Sequence, residues 1–170
     1  AGGIPQSVAP GALTMGYLAA ESAVAFAKQV NQQPEANVNE GLLTFCEEIA
    51  SRTAGDPWQD AQSFIQNVMT DYNIQYRSGS MAQRGLENLE YLEQTMQLTA
   101  NNPHDMTHCL EMRNLIECGR IIFRSTIERR ESRFKTFIRL DYPECDDDNF
   151  NCFLGQRKEG DSVVFQKHKP

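Results

Sequence analysis

Between Asn39 and Arg130 the apolar residues return every three or four positions, the spacing of helices that each hide one face. One stripe holds Leu42, Leu43, Phe45, Cys46, Ile49 and Ala50, and a second holds Trp58, Ala61, Phe64, Ile65, Val68 and Met69. A third carries Met81, Ala82, Gly85, Leu86, Leu89, Leu92, Glu93 and Met96, and the longest carries Met112, Leu115, Ile116, Gly119, Ile122, Phe123, Thr126 and Ile127. These stripes predict helices over 39–54, 58–73, 78–98 and 104–130. The punctuation agrees: Asn39 suits an N-cap, Gly55 a stop, Pro57 a first turn, and Asn102-Pro103 an N-cap followed by proline at the first helical position. Tyr76 to Ser80 reads as a turn. Connections this short make neighbouring helices antiparallel.

The two ends follow other patterns. Ala1 to Pro10 is rich in Gly, Pro and Ser and is not expected to begin a helix, whereas Gly11 to Ala27 is dense in alanine and poor in charge. A helix so small-residued nearly all round wants close neighbours on several sides, so it reads as the cut edge of something larger. Asn31 to Asn39 is a polar linker with a proline, the expected domain boundary. Past Asn149 the period becomes two, and strands over 151–157 and 162–168, joined by Lys158 to Asp161, predict a hairpin. The expected class is mainly α: an antiparallel three- to four-helix bundle with a separate N-terminal helix and a short C-terminal β-hairpin. Its parts would be 1–33, 34–138 and 139–170.

Composition narrows the function. The 170 residues suffice for one domain with a modest core, and 23 acidic residues against 16 basic ones give a net charge of −7, which excludes an attractive field for nucleic acid. No apolar run approaches the roughly 20 residues that span a bilayer, so no direct membrane insertion is expected. The five cysteines are odd in number and lack Cys-x-x-Cys spacing, which points to reduced thiols in a cytoplasm. His104 and His108, four apart near a helix start, could meet one metal with Asp105 or Glu111. Without a further well-placed ligand they read as two surface histidines, and no metal is expected. Ser132 has no base beside it for nucleophilic chemistry, and no Gly-x-Gly-x-x-Gly follows a strand.

Charge is concentrated after the longest stripe, where Arg129, Arg130, Glu131 and Arg133 are followed by Arg139, Asp141, Glu144, Asp146, Asp147 and Asp148. Such a segment is either a solvated helix end with weak ion pairs or a lattice of forked guanidinium–carboxylate pairs that fastens the helix to another part of a larger protein.

Four pieces in order, Leu110-Glu111 with Asn114-Leu115, Arg130-Glu131-Ser132-Arg133, Asp141-Tyr142-Pro143 and Asp146 to Phe150, resemble the C-terminal helical region of a flavoprotein family. That family contains the flavoprotein subunits of succinate dehydrogenase and fumarate reductase, L-aspartate oxidase and the alpha subunit of adenylylsulfate reductase. Its pattern is approximately LE-x-x-NL, ESRGAH, DFP or DYP, and DDENW. Arg77, Gly85 and Leu86 are similar to its Arg, polar turn and small-x-x-GL segment.

The resemblance implies the C-terminal portion of a FAD-dependent oxidoreductase flavoprotein subunit, with its first helix detached from a FAD domain. Pro10, Gly11, Ala12 and Leu13 would occupy the flavin-side loop, binding FAD only in the intact protein. The isolated chain would hold no cofactor and show no activity. Arg130, Glu131, Arg133, Asp141 and Asp147 would form a docking lattice toward the FAD and capping domains, with an iron–sulfur subunit as a further partner. The protein would be cytoplasmic and would reach a membrane only through partner subunits. Members that handle succinate or fumarate carry an Arg in the loop where this chain aligns Ser7, and the loop is more similar to the adenylylsulfate reductase branch. Where many members read Gly-Ala-His, this chain has Phe134-Lys135-Thr136 in a segment one residue longer, and Phe134 would fill the space that Gly leaves. The alternative is a stand-alone helical interaction module without redox activity. An upstream dinucleotide-binding fingerprint would separate the two.

Overall fold

Caps set the helix boundaries. In the computed structural model, which describes residues 8–30, 39–135, 137–160 and 162–169, Ser78 Oγ accepts the Met81 N–H and Asn102 Oδ1 accepts the Asp105 N–H. Each cap satisfies a donor that the first turn leaves without a partner, so helices begin directly after these two residues. The elements are α1 (Val8–Gln29), α2 (Glu40–Ser51), α3 (Trp58–Tyr72), β1 (Tyr76–Arg77), α4 (Gly79–Thr95), α5 (Pro103–Glu128), β2 (Ile138–Arg139), α6 (Asp147–Phe150), β3 (Phe153–Glu159) and β4 (Ser162–His168). The mainly helical class and the terminal hairpin agree with the sequence pattern.

The chain divides into two units, Ala1–Asn39 and Glu40–Pro170. The first contains one described element, α1. It begins at Val8, three residues before the expected start, so Pro10 sits in its first turn, where a missing N–H costs nothing. A single helix has nothing of its own to bury against, and Leu13, Met15, Tyr17, Leu18 and Phe26 are exposed, Leu13 at 76%. Ser7 and residues 31–38 of the expected linker lie outside the described residues.

In the second unit, α3, α4 and α5 share one core: Ala61, Ile65 and Val68 meet Ala82, Leu86, Leu89 and Leu92, and both groups meet Met112, Ile116 and Phe123. The close approach of α4 to α5 depends on Gly85, where a Cβ would lie 2.4 Å from the Phe123 ring. Helix α2 contributes less, with Ile49 buried and Leu42 and Leu43 exposed. Gly55 lies hard against the Gln97 carbonyl, and beside it Asp56 and Leu98 form a parallel bridge. The antiparallel β3–β4 hairpin pairs Phe153 with His168 through Glu159 with Ser162. Gln156 anchors it to α5 by donating to the Ile121 carbonyl at 2.7 Å.

Tyr76 to Ser80 is more than the turn the sequence suggests. Tyr76 and Arg77 form β1, which runs parallel to Ile138 and Arg139 in β2. Two-residue strands leave no periodic trace, and the paired residues lie 62 apart in sequence. It carries the segment after α5 back across the start of α4.

Candidate functional site

Helix α5 ends where Arg129, already extended at φ −78° and ψ 99°, starts a run that reverses direction. Alternate residues of an extended chain point to the same side. Arg129, Glu131 and Arg133 therefore converge, while Arg130 faces solvent. Glu131 is fully buried. Its carboxylate accepts Arg129 Nη1 at 2.5 Å, Arg133 Nε and Nη2 both at 2.8 Å, and the Asp146 N–H at 2.9 Å. Burial pushes this carboxyl up, and the donors from Arg133, Asp146 and Arg129 outweigh it, leaving it below the usual carboxylate range.

Both arginines reach further. Arg133 Nη2 also donates to Asp147 Oδ1 at 2.8 Å, and its two carboxylate partners raise its guanidinium above the ordinary value. Arg129 donates to the carbonyls of Phe150 and Cys152 at 3.0 and 2.9 Å, so it ties the end of α5 to the short helix α6. Helix α6 is itself capped by Asp146, whose carboxylate accepts the Asn149 N–H at 3.0 Å.

A second buried cation completes the joint. Arg139, 1% exposed, donates Nη1 to the carbonyls of Thr126 and Arg129, groups that the last turn of α5 leaves unpaired. Its other edge grips Asp141 in a fork, Nε to Oδ1 at 2.8 Å and Nη2 to Oδ2 at 2.7 Å. Asp141 Oδ2 in turn accepts the Gly79 N–H at 2.9 Å, at the first residue of α4. A cation at one helix's C-terminus and an anion at another's N-terminus both suit the helix dipoles. The fork from Arg139 is the largest cause that holds the Asp141 carboxyl down at about 2.

Ser132 is a structural hub rather than a nucleophile. Its Oγ donates to the Tyr142 carbonyl at 2.8 Å and accepts the Arg139 N–H at 2.8 Å, while its N–H meets the Glu144 carbonyl at 2.9 Å. Nearby, Arg77 lies over the Phe137 ring at 5.1 Å, and burial followed by Arg139 lowers its guanidinium below the ordinary value.

Of the five residues expected to form a lattice, the structure joins Glu131, Arg133 and Asp147 in one cluster and Asp141 in the adjoining one. Arg130 is exposed, and no ion pair among the described residues includes it. Arg129 and Arg139 do the work assigned to it. Phe134 corrects another expectation: it fills no internal space but is 83% exposed, at φ 57°. That left-handed backbone is costly for a phenylalanine and free for a glycine. With Phe137, Phe150 and Phe153 it lines a groove beside Arg129 and Arg133.

Pro10, Gly11, Ala12 and Leu13 lie within the first two turns of α1 instead of in a loop before it. Among the described residues no helix is long and apolar enough to cross a membrane. No group of three or more His, Cys, Asp and Glu side chains among them is placed to hold a metal ion.

Residues 62–166 match the family described as fumarate reductase flavoprotein C-term. The chain belongs to that family. The joint built on Glu131 and Arg139 therefore lies inside a flavoprotein C-terminal domain. Similar solved structures include adenylylsulfate reductase from the hyperthermophilic Archaeoglobus fulgidus, with a TM-score of 0.73 and 22% identity over 89% of this chain and 28% of that one. The Mycobacterium smegmatis Sdh1 complex with UQ1 gives 0.69 and 20% over 86% and 26%, and E. coli quinol fumarate reductase gives 0.62 and 20% over 80% and 26%. The chain thus spans about a quarter of the length of these proteins, and at such identities they show its fold. A search of the curated proteins finds no match. Nothing here favours a stand-alone interaction module.

Proposed function

We propose that this flavoprotein C-terminal domain serves as the bracing part of a FAD-dependent oxidoreductase subunit. The observation that carries the proposal is the family match over residues 62–166, together with a likeness that takes up 89% of this chain and 28% of the adenylylsulfate reductase chain. The adenylylsulfate reductase branch is the favoured one, because Ser7 stands where the dicarboxylate-handling members carry an arginine.

The chain's own residues do limited things toward the cofactor. The first two turns of α1, which hold Pro10, Gly11, Ala12 and Leu13, would face the electron-rich flavin with the positive end of a helix dipole. No Gly-x-Gly-x-x-Gly follows a strand in this sequence, so the grip on the FAD pyrophosphate would belong to another part of the protein. FAD itself would supply the redox chemistry when bound.

Arg133, Asp141 and Asp147, held in place by the buried Glu131 and Arg139 and with Arg130 at the rim, would present a rigid docking face to the FAD and capping domains. The groove at Phe134 and Phe153 would receive apolar contacts there, and an iron–sulfur protein is the further partner proposed. Such a protein works in the cytoplasm and meets a membrane through partner subunits. The test is to express the full-length gene product and record its visible spectrum and its turnover of adenylylsulfate, fumarate, succinate and aspartate. A yellow protein most active with adenylylsulfate or its products is expected. A colourless product that binds no FAD would overturn the proposal.

A further inference from the structure

Away from the joint, at the start of α5, two imidazoles meet face to edge. His104 and His108 have ring centroids 4.4 Å apart at 86°, and their Nε2 atoms are separated by 3.1 Å. His108 Nδ1 lies 2.6 Å from Glu111 Oε2. A carboxylate only accepts hydrogen bonds, so Nδ1 carries the hydrogen and Nε2 of His108 presents a lone pair toward His104. Two imidazole nitrogens at that distance share either a proton or a metal ion. Ligands bound at about 2.0–2.1 Å in a tetrahedral arrangement stand about 3.3 Å apart, close to the separation here.

We infer that His104 and His108 form a two-imidazole chelate for a borderline transition-metal dication of the zinc, nickel or copper class. Glu111 is the positioning residue that fixes the His108 tautomer, the role of a carboxylate behind a metal-bound histidine. Trp58 of α3 stacks on the other face of His108, with centroids 3.9 Å apart and planes at 22°, and holds that ring in place. No third protein ligand is present among the described residues, so water completes the coordination and binding is reversible rather than structural. As the ion binds, the hydrogen on His104 Nε2 moves by way of solvent to His104 Nδ1, so both imidazoles stay neutral and both Nε2 lone pairs face the ion.

Trp58 is the single tryptophan, and its contact with His108 makes it a local reporter. Nickel(II) chloride is titrated into the chain at neutral pH while tryptophan emission is followed. The expected result is saturable quenching with one ion per chain, reversed by EDTA and displaced by zinc, which does not quench. His104→Ala changes an exposed side chain that does not stack on Trp58, and it raises the half-saturating concentration about a hundredfold by removing the chelate. Glu111→Gln raises it about tenfold. Absence of quenching, or quenching unchanged in His104→Ala, overturns the chelate. Quenching unchanged in Glu111→Gln overturns the role given to that carboxylate.

Discussion

The same residue types do different work at two places on α5. Along its middle, Arg124 lies 3.9 Å from both Glu90 and Glu117, loose pairs whose carboxylates stay exposed to solvent. At its end, Glu131 and Arg139 have left solvent altogether, and each meets donors or acceptors from several segments. Solvated pairs contribute about 0 to 1 kcal/mol each, because water and salt screen them and long side chains lose freedom. A buried charge cannot fall back on water, so removing its partner costs several times more. Charge content alone therefore says little about which cluster holds the domain together. What decides is how many segments lean on one desolvated group.

Three substitutions would break or sharpen that contrast. Glu131→Ala carries the largest expected effect, a loss of about 3 kcal/mol in urea unfolding, because Arg129 and Arg133 lose the carboxylate between them and the Asp146 N–H loses its acceptor.

Acid should separate the clusters next. The Asp141 carboxyl is held down at about 2 by Arg139, so its contribution is complete above the unfolded value of about 4 and is lost as pH falls from there toward 2. Glu131, also lowered, adds in the same direction. Because the Asp141 side chain is 37% exposed, the share at stake is about 1 kcal/mol. Urea midpoints measured across this window should decline in the native chain, and Asp141→Asn should start lower and decline less.

Phe134→Gly carries the smallest expected change and the opposite sign, a gain of about 0.5 kcal/mol, as relief of the left-handed backbone exceeds the entropy glycine brings to the unfolded chain. A thermal melt checks it, and a loss would mean that the exposed ring contributes packing within this chain.

Much of the helical part was legible because burial there is periodic. The stripes of α3 and α4 name most of the core, and Ser78, Asn102 and Pro103 mark boundaries that local capping chemistry sets. The stripe on α5 was read too wide, since Leu115 and Ile122 stay largely exposed where only one side of the helix meets α3 and α4. The stripe on α2 misled more, because an apolar face in sequence does not say whether anything covers it.

The joint was legible as a collection of charges and as an ordered set of short motifs, but its pairing was not. The motif points to Arg130 rather than Arg129, because Arg130 adjoins Glu131 in the Arg130-Glu131-Ser132-Arg133 piece. The available signal was the switch from helical to extended chain after Glu128, under which residues two apart share a side. Applied to Arg129, Glu131 and Arg133, and again to Arg139 and Asp141, it selects the observed partners. Nothing local in the sequence announces β1 with β2, whose pairing depends on a contact between distant segments.

Glu131 holds the joint as a desolvated node, and a double-mutant cycle tests that most directly. Glu131 and Arg133 are truncated to alanine singly and together in the chain, beside the same cycle on Glu90 and Arg124, with stability read from urea unfolding. The predicted coupling is about 2 to 3 kcal/mol at the joint and below about 0.5 kcal/mol on the open surface. Equal small couplings at both places would contradict it.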